Sequence, residues 1–181
     1  MDFLDLAKNR YSVRKFDARK IEEEKVDLIL EAGRVAPTAV NRQPQRILVL
    51  KSEEELSKLK SCMSYRFQET LALLVCYDKN VSWKRSFDKK DSGDIDASIV
   101  TTHMMLEAYN LGIGSTWVGH FDPKITRETF QIPEHIEPVA MLLLGYPSKD
   151  AAPSASHDKR VDLTQTVYYG AFPKQEDIIR Q

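Results

Sequence analysis

A single α+β domain is the architecture this sequence predicts, with a small mixed and largely antiparallel sheet wrapped by helices. Short apolar runs of strand length at 47–50, 71–77 and 139–146 are interspersed with segments of helical periodicity. Helices and strands do not alternate regularly, as they would in a doubly wound parallel sheet, and no GxGxxG turn follows a strand. The 181 residues carry neither an internal repeat nor a domain linker, so one domain spanning 1–181 accounts for them.

Asp2 is placed to cap a first helix carrying Phe3, Leu4 and Ala7. The segment RYSVRKFDARK breaks that pattern. A second helix over 21–35 presents Val26, Leu28, Ile29, Leu30 and Ala32 above a charged face and ends before Ala36-Pro37. The polar PTAVNRQPQR loop leads to a strand at 47–50, whose unbroken apolar run suits burial. Ser52 with Glu55 forms a capping box that opens a helix bearing Leu56 and Leu59. LALLVCY at 71–77 reads as a second buried strand. Residues 79–94, rich in Lys, Arg and Asp, read as an exposed excursion anchored by Trp83 and Phe87, of a kind that serves as a lid or partner contact.

A central helix over 95–111 places Ile95, Ile99, Thr102, Leu106 and Tyr109 at alternating steps of four and three, with Gly112 as its stop. GIGSTWVGHFD reads as a glycine-bearing loop, after which Asp122-Pro123 starts another helix. VAMLLLGY at 139–146 is the last strong strand. Residues 148–181 show no core pattern before Val161, Leu163 and Val167, so they are expected to run over the surface or onto a partner subunit.

Composition excludes several function classes. Lys+Arg total 26 against Asp+Glu 27, so no global field draws nucleic acid or an anionic membrane, and any anion site must be local. No run approaches the ~18 apolar residues of a membrane span, and the charged N-terminus does not resemble a signal peptide; a cytoplasmic location is expected. Cys62 and Cys76 form neither a CxxC pair nor a metal cage and read as reduced packing residues. His103, His120, His135 and His157 are scattered outside any HExxH pattern, so no metal site is expected.

The densest anion-binding candidate is Arg10, Ser12 and Arg14, whose side chains share one side of an extended segment. Two guanidinium forks and a hydroxyl suit a phosphate; a solvated basic loop is the other reading. Lys159 and Arg160 would complete the clamp if the tail folds back. Thr38, Asn41 and Gln43 supply donors and acceptors suited to a heteroaromatic ring edge, or equally ordinary turn chemistry. Gly119, near Trp117, would let backbone amides approach a flat ligand. His103 and His120 are candidate acids or simply packed and solvated histidines. No Ser/His/Asp or Cys/His nucleophile set emerges.

The order of RYSVRKF, APTAVNRQPQ, DASIVTTHMMLEAYNLGIGSTWVGHFDP and IEPVAMLLLGYP followed by HDKR resembles the nitroreductase family, particularly its short members. The resemblance implies an intertwined homodimer with two FMN sites at the subunit interface. On it, Arg10, Tyr11, Ser12 and Arg14 contact the FMN phosphate and the ribityl or ring edge, and Arg160 with Lys159 closes on the phosphate. Pro37, Thr38, Ala39, Asn41 and Gln43 arrive from the partner, with Thr38 where the family pattern has serine. Trp117, Val118 and Gly119 lie beside the isoalloxazine, and Arg66 is the nearest match to a further family contact. Val118 stands where many larger relatives carry an acidic residue.

NADH or NADPH would donate and a small organic acceptor, such as a nitroaromatic or quinone, would receive, in a ping-pong scheme. Arg14 would act as an electrostatic stabiliser, with no side-chain nucleophile. The alternatives are a flavin sensor or store without turnover, and other flavin chemistry on the same scaffold, such as reductive dehalogenation or ring fragmentation.

Overall fold

Side chains alternate across a strand, so a strand that is apolar at every position needs a core on each face. β2 (Leu71–Asp78) meets that condition from Leu71 to Tyr77 and is buried along its whole length. In the computed structural model, which describes residues 2–64 and 67–173, β2 pairs with β1 (Gln45–Leu50) on one side and β4 (Ile136–Gly145) on the other. β3 (Gly114–Val118) adds to β4, giving the order β1-β2-β4-β3 with antiparallel pairs.

Leu71, Leu73 and Val75 of β2, with Leu142 and Leu144 of β4, face α2 (Glu23–Arg34) and α4 (Gly93–Asn110). Ala72, Leu74 and Cys76, with Met141 and Leu143, face α3 (Glu53–Cys62) and, through Phe130, α5 (Pro123–Phe130). α1 (Phe3–Asn9) precedes these layers. The α+β expectation holds.

The caps behave as the sequence predicts. Asp2 Oδ1 accepts from the Asp5 amide at 2.9 Å, Ser52 and Glu55 form a capping box, and Asp122 Oδ1 accepts from the Ile125 amide at 2.9 Å. Gly112 adopts φ 76° just past α4, where a side chain would be strained. β4 starts earlier than expected and runs through Pro138, which lacks a ladder donor. The register shift between Val75 and Cys76, opposite Pro138, accommodates it.

Other expectations need correction. β1 is an edge strand whose residues alternate between partly buried and exposed until Leu50, because only β2 flanks it. GIGSTWVGHFD is not a loop throughout: its middle is β3, a strand with too few residues to show alternation. Leu28 of α2 is 50% exposed, since Val26, Ile29 and Gly33 take the buried face. On α4 the core-facing residues include Ala97, Val100, Met104 and Ala108, whereas Ile95 is 52% exposed. The stripe read from the sequence is therefore not the buried one: Ile99, Thr102, Leu106 and Tyr109 are only partly buried, with Ile99 still packed against the core, and the helix is apolar on both sides. In the 79–94 excursion Phe87 is 95% exposed and anchors nothing. The turn is held by Arg85 Nε donating to Asp88 Oδ1 at 2.8 Å and by a bridge between Lys84 and Asp91.

A Cβ on Gly93 would lie 2.0 Å from the Tyr77 ring, so the first turn of α4 sits flat against that aromatic face. Gly93→Ala is expected to lower stability by ~1–3 kcal/mol, the usual cost of overpacking. Urea unfolding with an unchanged midpoint would refute that close packing.

Candidate functional site

The RYSVRKF segment lies against the edge of β3. Ser12 and Ser115 form a parallel bridge, the Val13 amide donates to Ser115 O at 2.9 Å, and the Thr116 hydroxyl donates to Val13 O. Glycines make the close approach possible. A Cβ on Gly114 would come within 2.7 Å of Val13, and one on Gly145 within 2.9 Å of Phe16. Val13 and Phe16 are thereby buried, and Ser12 and Arg14 are turned away from Val13 by the alternation of extended chain. The end of the segment is latched by the Asp17 amide to Tyr146 O at 2.7 Å and by Lys15 Nζ to Asp150 Oδ2 at 2.6 Å.

The tail does fold back. His157 meets the Tyr11 ring edge-on, with centroids 6.2 Å apart, and this brings the Arg160 charge within electrostatic reach of Arg10. Burial holds the Arg10 pKa below its ordinary value, and the adjacent Arg160 charge lowers it further. Among the described residues neither guanidinium pairs with a carboxylate; Arg160 Nη1 donates to the backbone oxygens of His157 and Lys159. Two neighbouring like charges of this kind are an arrangement that suits an anion. Arg14 Nη1 donates to Ser12 O at 3.4 Å, folding that third guanidinium back along the segment, and Lys159 is exposed beside Arg160.

β3 runs from Ser115 beside this clamp to Val118, with Gly119 immediately after it. The span from Ser115 to Gly119 is about 13 Å at ordinary strand rise. Gly119 has no heavy atom within 4 Å of where its Cβ would be, and a cavity of about 560 Å³ opens beside it, bounded by Tyr77, Asp94, Phe121 and Val139. Trp117 is half-buried and Val118 fully buried.

The chain matches the profile of the nitroreductase family over residues 7–75 and 67–146. It belongs to the nitroreductase family. A nitroreductase family protein of Clostridium difficile 630 is 46% identical and superposes with a TM-score of 0.89 over 95% of this chain and 100% of that one. An FMN-dependent nitroreductase of Clostridium difficile R20291 is 25% identical, with a TM-score of 0.77 over 94% of this chain and 100% of that one. A Methanothermobacter thermautotrophicus protein, to which its name ascribes NADH dehydrogenase/NAD(P)H nitroreductase activity, is 32% identical over 83% of this chain and 80% of its own length.

This nitroreductase-family chain divides its expected site residues into two groups. Ser12 lies on the edge of β3, Tyr11 meets the returning tail at His157 and Arg10 feels the Arg160 charge, whereas Arg14 folds back onto Ser12 O and Lys159 is exposed. Trp117, Val118 and Gly119 lie at the end of β3. Pro37, Thr38, Ala39, Asn41 and Gln43 sit on the loop ahead of β1, packed on the start of α4. Among the described residues no hydrogen bond or ion pair joins the loop to the clamp. Arg66 lies outside the described residues. His103 Nδ1 is 2.9 Å from Ile99 O within its own helix, and His120 is exposed. Burial pushes the Cys76 thiol up to about 12, so it is no nucleophile near neutral pH. Among the described residues no His, Cys, Asp or Glu cluster could hold a metal ion.

Asp96, on α4, escaped the sequence reading although it shapes the 37–43 loop: its Oδ1 accepts from the Ala39 amide at 2.8 Å. Its signal was a carboxylate in step with Gly93, Val100 and Met104, the buried phase of α4. Gly114 and Gly145 were also missed as the cradle of the clamp.

Inorganic phosphate, raised at constant ionic strength, is expected to increase the thermal midpoint, and Arg160→Ala to remove most of that increase. Without phosphate the substitution should not lower the midpoint, because it relieves a like-charge repulsion. A variant that is destabilised yet still responds to phosphate rejects the clamp.

Proposed function

We propose that this chain is an FMN-dependent oxidoreductase that takes electrons from NAD(P)H and delivers them to a small organic acceptor, such as a nitroaromatic or quinone. The observation that carries the proposal is the pair of like charges at Arg10 and Arg160, joined to no carboxylate among the described residues, near Ser12 and one strand length from the open backbone at Gly119. That arrangement fits a ligand with a phosphate at one end and a flat ring at the other. The printed names of relatives, an FMN-dependent nitroreductase and a Bacillus subtilis FMN reductase [NAD(P)H] among them, point the same way.

When bound, FMN supplies the hydride and electron transfer itself. The chain's own residues do the rest. Arg10, Arg160 and Ser12 would hold the phosphate, with Lys159 adding charge and Tyr11, packed on His157, contacting the cofactor beside them. The open space at Gly119 would let its backbone approach the ring edge, and Arg14, released from Ser12 O, would supply positive charge that stabilises the reduced ring. The cavity beside Gly119 admits donor and acceptor in turn, which gives ping-pong kinetics.

The site is completed by a second copy of the chain, whose Pro37, Thr38, Ala39, Asn41 and Gln43 reach the ring. Unpartnered apolar surface supports a homodimer. Phe3 and Leu4 of α1 are exposed, the outer side of α4 forms a groove of about 450 Å³ along Ile95 and Ile99, and Val161, Leu163 and Phe172 of the tail are exposed. In this reading the expected contact of 148–181 with the partner is left to the exposed residues after Arg160, since 148–160 lie against their own chain at Lys15 and Tyr11. Among the described residues, no helix is long and apolar enough to cross a membrane.

Anaerobic absorbance spectra of the protein reconstituted with FMN test the activity. Addition of NADH or NADPH should bleach the flavin band; a band unchanged by either favours a flavin store, and failure to take up FMN rejects the assignment. The shared site has its own test. A mixed dimer of one Arg10→Ala/Arg160→Ala subunit and one Asn41→Ala subunit should keep one intact site and bind one FMN tightly. Loss of both sites would place clamp and loop in the same subunit.

A further inference from the structure

The 38–43 loop holds an unusual backbone. Val40, Asn41 and Gln43 all take positive φ, at 52°, 52° and 49°. Asn tolerates this region, but a β-branched valine is disfavoured there. Val40 is also 73% exposed, so its own burial does not compensate. Something else must hold the loop in shape.

Part of the constraint is local. Thr38 Oγ1 accepts from the Gln43 amide at 3.0 Å, and the Asn41 and Arg42 amides donate to Thr38 O and Ala39 O. At its far end the loop is tied by Arg46 Nη1 donating to Gln43 O at 3.3 Å and the Asp78 amide donating to Pro44 O at 2.9 Å, and at its near end by Asp96, one turn into α4 and 1% exposed. Its Oδ1 accepts from the Ala39 amide at 2.8 Å, and its Oδ2 accepts from the Ser92 hydroxyl at 2.8 Å. Ser92 is itself fixed by its amide donating to Trp83 O at 2.9 Å. Ser92 therefore locks the carboxylate rotamer that captures the loop.

Asp96 is costly to bury. Among the described residues no Lys, Arg or His pairs with it, and its compensation is the positive end of α4 together with these two donors. An alanine would pack the helix at that phase, as Ala97 and Ala108 do elsewhere on it. What an alanine lacks is an acceptor for the Ala39 amide.

We infer that Asp96 is a positioning residue of the flavin site: through the Ala39 amide it holds the 38–43 loop in the left-handed conformation that presents Thr38, Asn41 and Gln43 to the partner subunit's flavin ring. The inference rests on the proposed function for its ligand. The conformational part stands on this chain alone.

Asp96→Ala, Asp96→Asn and Ser92→Ala in the full chain separate the two. Amide hydrogen exchange needs no flavin. Asp96→Ala should speed exchange in residues 38–43 by about tenfold or more, as expected when a charge-assisted hydrogen bond is lost, while β2 amides keep their protection. FMN and riboflavin affinity, read by flavin fluorescence, should fall by the same factor, because the loop meets the ring and not the phosphate. Asp96→Asn should restore both readouts to within about threefold, since its Oδ1 still accepts and Ser92 Oγ accepts from the amide. Ser92→Ala should fall between.

Unchanged exchange in the loop, or a loss confined to FMN, overturns the inference. A general loss of protection in Asp96→Ala shifts the test to the other two variants, where wild-type loop exchange in Ser92→Ala together with no rescue by Asp96→Asn overturns it equally. If the wild-type chain binds neither flavin, the proposed function falls and with it the ligand half of the inference, while the exchange data still decide what fixes the loop.

Discussion

The pairing of β2 with β4, buried on both faces, is the constraint on which the other features depend. Because alternate side chains of these strands feed two separate cores, neither strand can slip by one residue without exchanging the contents of both. That fixes where their ends lie. The end of β4 places Gly145 and Tyr146 to receive Phe16 and Asp17, and the start of β1 ties off the 37–44 loop through the Asp78 amide to Pro44 O. Clamp and loop are thus attached to opposite margins of one rigid sheet.

What makes a site of these margins is what the fold leaves unsatisfied. Arg10 and Arg160 repel each other and, among the described residues, pair with no carboxylate, and Val40 holds a backbone conformation its side chain disfavours. Both cost stability. Such costs concentrate where a ligand or partner makes use of them, and the surrounding contacts supply the rigidity that sustains them. Ile95 of α4 and the exposed apolar tail belong to the same pattern, being surfaces that a lone chain leaves open to water.

Several elements were legible because their determinants are local. Asp2, Ser52 and Asp122 announce helix starts through hydrogen bonds spanning three residues, and Gly112 announces a stop through its positive φ. The run at 71–77 was legible because burial on both faces removes alternation. β3 was not, since its five residues include a glycine chosen for the approach of Val13 and not for strand propensity. The facing of α4 failed for a different reason. A helix apolar all round carries no phase information, and which side meets the sheet is settled by Gly93, Ala97 and Ala108, whose small side chains allow close approach.

The sequence by itself determined the chemical inventory, the capped helix starts, the doubly buried strand, and the candidates for phosphate and ring recognition at Arg10, Ser12, Arg14, Thr38, Asn41 and Gln43. Only the tertiary structure decided which of these meet. Arg160 joins Arg10 because the tail returns over Tyr11, and the 38–43 loop goes instead to α4 because a buried Asp96 captures the Ala39 amide. Hydrogen bonds within a turn are encoded in neighbouring residues. A contact between residues 150 or 57 positions apart depends on the packing of the strands and helices between them.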